Sequence, residues 1–204
     1  ARYELQKNIP GLVASFLAAA EIRTDIHLVV AGPVEDWLEH RLADLLRRSH
    51  TAGDRVHLMG VSSSRRLLAC VDAFVMDSFF EGGPLALTEA LVAGLPAIVA
   101  DVGVAIEQVG TDGERGFVVP NAAMPRDEAN ITAIRRARRR PSKQRNKSQL
   151  VDAVLTVSDD IETWRERRTE RAAQAQGQLS YRAMAMTHAE ILTAINRDHG
   201  QFNL

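Results

Sequence analysis

The sequence predicts an α/β fold in which a parallel β-sheet is covered by helices on both faces. Along residues 1–120, short apolar runs rich in Val and Ile alternate with longer amphipathic segments. The runs are continuous, without alternating polar residues, which is typical of parallel strands buried on both faces. A Gly, Asp or Pro follows each run. Because the loops after parallel strands meet at one edge of the sheet, we expect a ligand to bind there.

The first part of this pattern predicts two helices and two strands. Residues 10–22 place Leu12, Phe16 and Ala20 on one stripe, so they are predicted to form a helix. Residues 26–31 are predicted to form a strand that ends at Gly32-Pro33. An amphipathic helix over residues 35–49 and a strand over residues 55–59 follow.

The second part continues the alternation up to Pro120. Residues 63–70 are predicted to form a short helix with Ser62 or Ser63 as its N-cap. The only cysteine, Cys70, lies in an apolar run and is predicted to be a small core residue. Residues 84–93 are predicted to form a helix that begins at a proline and ends before a glycine. The remaining predicted strands are residues 72–76, 96–100 and 116–119.

The sequence is predicted to divide into three regions. Residues 1–120 form the predicted core, residues 121–149 a basic insertion, and residues 150–204 a set of C-terminal helices that pack on the core or on an absent domain. The stretch from Arg135 to Lys147 carries eight positive charges and no acidic residue. We interpret it as a flexible, solvated insertion. The alternatives are contact with an anionic membrane surface or with RNA.

Composition argues against several classes of protein. The 204 residues have a formal net charge of −1, so the chain as a whole is not an electrostatic binder of nucleic acid, and no nucleic-acid partner is expected. Neither a signal peptide nor a run of about 20 apolar residues occurs. We expect a cytoplasmic domain, peripheral at the inner membrane face if the basic stretch contacts lipid. The six histidines are scattered, and we expect each of them to be structural or on the surface rather than a ligand.

The segment from Glu81 to Glu89 carries the most specific chemistry. A predicted strand runs into Gly82 and Gly83 and then directly into a helix. First-turn amides of a helix lack backbone partners and the helix dipole is positive there, so this loop is suited to a diphosphate. The two glutamates flank the anion site, and carboxylates accept hydrogen bonds from hydroxyl groups. The pattern predicts a nucleotide-sugar ligand, while the alternative is an ordinary strand-to-helix turn whose dipole favours glutamate.

This segment, EGGPLALTEA, resembles the E-x7-E motif of retaining glycosyltransferases with the GT-B fold, the group 1 (family 4) enzymes. Four other stretches resemble the family in the same order. They are residues 2–8 (a GR-x4-K phrase), DRVHLMG, LVAGLPAIVADVG and TDGERGFVVP. The resemblance spans about residues 1–120. It implies that the chain is the Rossmann-like half of a GT-B fold that binds the nucleotide-diphosphate sugar.

The resemblance also implies roles for individual residues. Arg2 and Lys7 would hold the diphosphate and stabilise charge on the leaving group, and Glu81 would accept hydroxyls of the donor sugar, which makes these three the implied catalytic set. The other implied donor-binding residues are Gly82, Gly83 and Leu85 near the sugar and phosphates, Glu89 at the ribose, and Gly60 and Val61 beside the base. The family implies no metal and no cofactor, because cationic side chains and helix amides do this work.

The sequence departs from the family pattern in places. Ala1 stands where the family has Gly, and the loop from Gly103 to Glu107 lacks the second Gly and the Pro of GGxPE, so we expect this loop to differ. The family's opening strand would precede Ala1, and its N-terminal acceptor domain would precede that strand. We therefore expect a fragment of a longer protein, with the N-terminal domain as its partner and with no transfer activity of its own.

Other functions on a similar fold remain open. A nucleotide-sugar epimerase would place its carboxylates and histidines differently, and a phosphorylase would need a lysine for pyridoxal phosphate, for which no motif is present. A non-catalytic module that binds or assembles around a nucleotide sugar is a third alternative. A dehydrogenase is disfavoured because no GxGxxG opens the first helix.

Overall fold

The chain folds as an α/β domain with parallel strands and helices packed around them. The computed structural model describes residues 1–126, 128, 130–179 and 181–199, with the backbone alone at 181 and 196–199. The strands are β1 (Leu28–Ala31), β2 (Val56–Met59), β3 (Phe74–Met76), β4 (Ala97–Ala100) and β5 (Gly116–Val119). The helices of the core are α1 (Ile9–Ile22), α2 (Trp37–Arg48), α3 (Ser64–Cys70), α4 (Leu85–Val92) and α5 (Ala105–Val109). Those beyond it are α6 (Ile131–Arg138), α7 (Lys147–Asp159), α8 (Ile161–Glu166), α9 (Arg168–Leu179) and α10 (Tyr181–His199).

The predicted fold class is confirmed. Every helix and strand predicted within residues 1–120 is present, with its ends shifted by no more than two residues. Ser63 is the N-cap of α3, since its side chain accepts a hydrogen bond from the amide of Arg66. The short helix α5 was not predicted, because five residues between two loops are too few to show a helical period.

The strands form two parallel groups. β1 pairs with β2 in a register that places Leu28 opposite Val56, whereas β4 lies between β3 and β5. The expectation of one continuous sheet differs from this arrangement, because β1 and β3 are not hydrogen-bonded to each other. The expected opening strand ahead of Ala1 concerns residues outside this sequence and stays a prediction.

Residues 1–7 connect the two groups at the carboxyl ends of their strands. The amide of Tyr3 donates to the carbonyl of Pro33, which follows β1, at 2.9 Å, and the amide of Phe79 donates to the carbonyl of Gln6 at 2.8 Å. The ring of Tyr3 is buried, and its hydroxyl donates to the carbonyl of Val30 at 2.9 Å. The 3-10 turn Leu5–Lys7, here called the Lys7 turn, is thereby fixed beside the loop that follows β3.

Helix α1 forms the centre of the larger core. Eleven of its 14 residues are buried, because α2 and α7 pack against it together with β1. A second core lies under α4 and α5 and includes Leu87 and Val99. Two of the later helices join these cores, α7 through Leu150 and α9 through Ala175, whereas the described apolar side chains of α10 are exposed or half-buried.

The structure corrects the prediction for Cys70, which is exposed. Helix α3 half-buries only Leu67 and Leu68. Because a helix turns by about 100° per residue, Cys70 lies about 60° from Leu67 on the side away from Leu68, and therefore at the solvent edge of the half-buried face.

Residues 131–147, here called the basic segment, differ from the flexible insertion expected there. They contain α6 and a short 3-10 turn, Pro141–Lys143. Ile134 is buried against Phe79, and Arg138 bonds the buried carboxylate of Glu39 and, at 3.1 Å, that of Asp36. The apolar face around Ile134 and the ion pairs of Arg138 anchor α6. The sequence did not indicate this face, because most of the neighbouring residues are arginines.

No helix among the described residues is both long enough and apolar enough to cross a membrane.

Candidate functional site

The loops after the strands bring several of the predicted residues together at one edge of the fold. Lys7 ends a 3-10 turn, Leu5–Lys7, and Glu81 lies in the loop between β3 and α4. Their side chains form an ion pair with 2.6 Å between the Lys7 ammonium nitrogen and the Glu81 carboxylate. The Glu81 side chain is only 8 % exposed and that of Lys7 18 %. A cation and a carboxylate are therefore held at a fixed spacing in a partly desolvated position.

Gln6 fixes the other side of this pair. Its amide nitrogen donates to the second carboxylate oxygen of Glu81 at 3.2 Å and to the carbonyl of Phe80 at 2.9 Å. Both oxygens of Glu81 are thus bonded, one to an ammonium group and one to an amide. Gln6 was not predicted, although it precedes Lys7 directly in the motif.

Gly82 and Gly83 form an open backbone surface at the start of α4. A Cβ atom at either glycine would meet nothing within 4 Å. Pro84 is the N-cap of α4 and has no amide hydrogen. Within the described residues, the amides of Gly82, Gly83, Leu85 and Ala86 donate to no protein group. Four backbone donors therefore face solvent where the helix dipole is positive.

The loop after β4 supports this surface from behind. The amide of Val104 donates to the carbonyl of Gly82 at 3.2 Å. Gly103 has φ +51°, and a Cβ there would lie 2.1 Å from the carbonyl oxygen of Gly82. Arg126 bonds the carbonyl of Gly103 and pairs with Asp101. Gly103 and Arg126 are site residues that sequence reasoning missed, since their role depends on the close approach of two distant loops.

The other predicted residues are exposed. Arg2 pairs with Glu4 at 3.1 Å, and its side chain is 54 % exposed. Glu89 is exposed in the second turn of α4, and Leu85 is exposed at its start. Gly60 and Val61 follow β2 and are exposed. The structure gives direct contact between Lys7 and Glu81. Next to Glu81, the exposed residues Gly82, Gly83 and Leu85 form an open surface, here called the open shelf. Two concave pockets of about 140 and 210 Å³ lie elsewhere, beside Trp164 and His50.

A buried carboxyl group lies directly behind the Lys7 turn. Asp77 follows β3 and is almost fully buried. One oxygen accepts a hydrogen bond from Asn8 at 2.7 Å, and the other accepts one from Asn146 at 2.7 Å. Burial raises the pKa of Asp77 to about 7, although the two amide donors oppose this rise. A polar residue at the end of an apolar run was the only sequence signal for this group.

Among the residues that the structure describes, no group of three or more His, Cys, Asp or Glu side chains lies in a position to hold a metal ion.

Comparison with known proteins gives a family and a fold. The profile of the family described as "Glycosyl transferases group 1" matches residues 1–136. No curated protein sequence matches the chain.

Among solved structures, the chain is similar to the sucrose-phosphate synthase (tll1590) of Thermosynechococcus elongatus. The TM-score is 0.70 at 20 % identity, over 97 % of this chain and 44 % of that one. It is also similar to Alr3699/HepE of Anabaena in complex with UDP, with TM-score 0.69, 18 % identity, and 95 % and 47 % of the two chains. TarM, a protein of S. aureus, gives TM-score 0.70 at 14 % identity, over 93 % and 33 %. The chain therefore spans less than half the length of each of these proteins.

The raised pKa of Asp77 predicts how stability depends on pH. The folded form keeps its proton up to a pH of about 7, whereas the unfolded group loses it near 3.8. The contribution of the protonated Asp77 side chain to the free energy of unfolding is therefore complete below pH 3.8. It is lost as the pH rises to about 7, by up to about 1.4 kcal/mol per pH unit. Asp77→Asn cannot ionise. We expect the free energy of unfolding of this variant, minus that of the wild type, to increase from about pH 5 to about pH 7.5 in urea titrations. A difference that is independent of pH would contradict this.

Proposed function

The chain belongs to the group 1 glycosyl transferases, and from this membership we propose that it is the domain that binds the nucleotide-sugar donor for retaining sugar transfer. The observation that carries the proposal is the ion pair of Lys7 and Glu81, held at 2.6 Å beside four backbone amides that have no partner among the described residues. A solved structure similar to this chain, Alr3699/HepE of Anabaena, is a complex with UDP-glucose. That ligand has the two parts, diphosphate and sugar, that this arrangement suits.

The donor diphosphate binds between α4 and the Lys7 turn. The amides of Gly82, Gly83, Leu85 and Ala86 donate to phosphate oxygens, as amides at helix N-termini do. Lys7 adds a full positive charge from the other side. An ammonium group has three hydrogens, so Lys7 keeps its bond to Glu81 while it donates to a phosphate. The diphosphate is the leaving group, and these donors stabilise the charge that develops on it.

Arg2 and the two glutamates complete the site. The Arg2 side chain is 54 % exposed and that of Glu4 22 %, so Arg2 lies at the edge of solvent and exchanges Glu4 for the more highly charged diphosphate. Glu81 accepts hydroxyls of the donor sugar. Glu89, one turn further along α4, accepts the ribose hydroxyls, and Gly60 and Val61 border the base. These donors neutralise the diphosphate without a metal ion or a cofactor.

Substitution of Lys7 and Glu89 separates the two ends of the nucleotide. Lys7→Met removes a charge-assisted hydrogen bond worth about 1.5–3 kcal/mol, so we expect the affinity for UDP, GDP or ADP to fall at least about tenfold, and that for inorganic pyrophosphate to fall equally. Glu89→Ala should weaken binding of the same nucleotide but leave pyrophosphate binding unchanged. Isothermal calorimetry with the three nucleotides and pyrophosphate measures both effects.

Glu166→Ala is the matched control for these variants, because Glu166 is an exposed acidic residue of α8 that pairs with no cation in the described part of the chain. It should bind nucleotides like the wild type. Wild-type affinity in both Lys7→Met and Glu89→Ala would contradict the donor site, as would the absence of nucleotide binding in the unaltered chain.

The acceptor is bound by an N-terminal domain of the longer protein, across the open shelf from Glu81. The shelf residues Gly82, Gly83 and Leu85 are exposed, whereas transfer requires that water is excluded from the reacting bond. We expect the isolated 204 residues to bind a donor nucleotide but to transfer no sugar. Release of UDP from UDP-glucose, measured with and without simple acceptors, checks this, and acceptor-dependent release would contradict it.

The basic segment contacts an anionic membrane surface. Six of its cationic side chains are exposed and form no ion pair with the residues that the structure describes: Arg135, Arg136, Arg139, Arg140, Lys143 and Arg145. Each basic residue near an anionic bilayer contributes about 1 kcal/mol. α6 packs on Phe79, two residues before Glu81, so this contact holds the donor site near the lipid surface, peripheral at the inner membrane face.

Vesicle binding tests the membrane contact. We expect the chain to sediment with vesicles of phosphatidylcholine and phosphatidylglycerol at low salt but not with phosphatidylcholine alone, because the attraction is electrostatic. The triple variant R135Q/R136Q/R139Q should lose most of this binding. The double variant R65Q/R66Q, which removes exposed charge from α3 instead, should keep it. Equal, negligible binding to both kinds of vesicle would contradict the proposal.

A further inference from the structure

A buried network of amide groups joins the Lys7 turn to the end of β3 and to the basic segment. Asp77 accepts one hydrogen bond from Asn8 and one from Asn146. The second hydrogen of the Asn8 amide goes to Gln144 at 2.8 Å, and the Gln144 amide returns a bond to the Asn8 oxygen at 2.8 Å. All four side chains are buried. Every polar atom of the Asn8 side chain is therefore hydrogen-bonded, and Asp77 is the acidic member of the network.

The backbone of Asn8 shows what this network has to hold. Asn8 has φ 49° and ψ 38°, and it is the only residue other than glycine with positive φ in the described part of the chain. This left-handed conformation costs about 1–2 kcal/mol for most residues, and somewhat less for asparagine. Asn8 ends the 3-10 turn that contains Lys7 and also begins α1. The backbone conformation of Asn8 thus sets the orientation of Lys7 relative to α1.

We propose that Asp77 is the positioning residue for Lys7: its buried carboxyl group holds Asn8 in the left-handed conformation that turns the Lys7 ammonium group toward Glu81 and the donor diphosphate. Asp77 also anchors the loop that carries Glu81, because it lies four residues before it. One group therefore fixes both partners of the ion pair, and Asn146 ties the same group to the start of α7. The role in donor binding rests on the proposed function, whereas the effect on the Lys7–Glu81 contact does not.

The network requires an acceptor at Asp77 but not a negative charge. The oxygen of Asn146 is buried and has no hydrogen-bond partner among the described residues. In Asp77→Asn, the new side chain accepts from Asn8 through its oxygen and, after rotation of the Asn146 amide, donates to this free oxygen. In Asp77→Ala, the amides of Asn8 and Asn146 each lose an acceptor in a buried position, which is the costly case.

The experiment compares the two substitutions in nucleotide binding. We expect Asp77→Ala to bind the preferred one of UDP, GDP and ADP at least about tenfold more weakly, the equivalent of about 1.4 kcal/mol, and Asp77→Asn to stay within about threefold of the wild type. Val157→Ala is the control: it removes two buried methyl groups from α7, the helix that Asn146 precedes, and Val157 takes no part in the hydrogen bonds of the network. Equal nucleotide affinity in Asp77→Ala and Val157→Ala would overturn the proposal.

A variant of Asn8 covers the case in which Asp77→Ala does not fold. Asn8→Ala cannot bond Asp77 and adopts positive φ only at a cost of about 1–2 kcal/mol, so we expect the same loss of nucleotide affinity, and wild-type affinity would overturn the proposal. A second measurement needs no nucleotide. The 15N resonance of the Lys7 ammonium group should shift in Asp77→Ala and Asn8→Ala but not in Val157→Ala. If the wild type binds no nucleoside diphosphate, the donor site fails, and this resonance alone decides the role of Asp77. An unchanged resonance in both network variants would overturn it.

Discussion

A carboxyl group without access to water must find hydrogen-bond donors inside the protein, and Asp77 finds them in segments that are far apart in the sequence. Asn8 comes from the start of α1 and Asn146 from the start of α7. Because the loss of either donor would leave a buried carboxyl oxygen unpaired, the end of β3, the Lys7 turn and the basic segment are fixed relative to one another. The position of Glu81, four residues after Asp77, follows from this constraint.

The site surface is made largely by backbone, which explains its dependence on glycine. Gly82 and Gly83 expose their amides because no Cβ atom covers them, and Gly103 is required because the loop after β4 approaches the carbonyl of Gly82 too closely for a side chain. The family resemblance predicted that this second loop would differ, since it lacks a glycine and a proline. The one glycine that remains is the one at which backbone approaches backbone.

Charge is used in two ways in the basic segment. Arg138 has a structural role, because it forms ion pairs with the buried Glu39 and with Asp36. The neighbouring arginines project into solvent on the other faces of α6 and of the turn that follows. A count of charges cannot separate these two uses, because they depend on which face of an eight-residue helix meets α2.

The sequence by itself determined the order and type of the elements in residues 1–120, because apolar runs and helical stripes report burial directly. It also located the Gly82-Gly83 loop and, through two separate motifs of local spacing, named Lys7 and Glu81 as candidate site residues, whereas their contact was decided by the tertiary structure. Tertiary structure alone decided the division of the strands into two groups, the exposure of Cys70, the anchoring of α6, and the roles of Gln6, Gly103, Arg126 and the Asp77 network. Each of these depends on contacts between residues that are tens of positions apart or on the face that a short helix presents. Periodicity and spacing describe only neighbours along the chain and therefore could not reveal them.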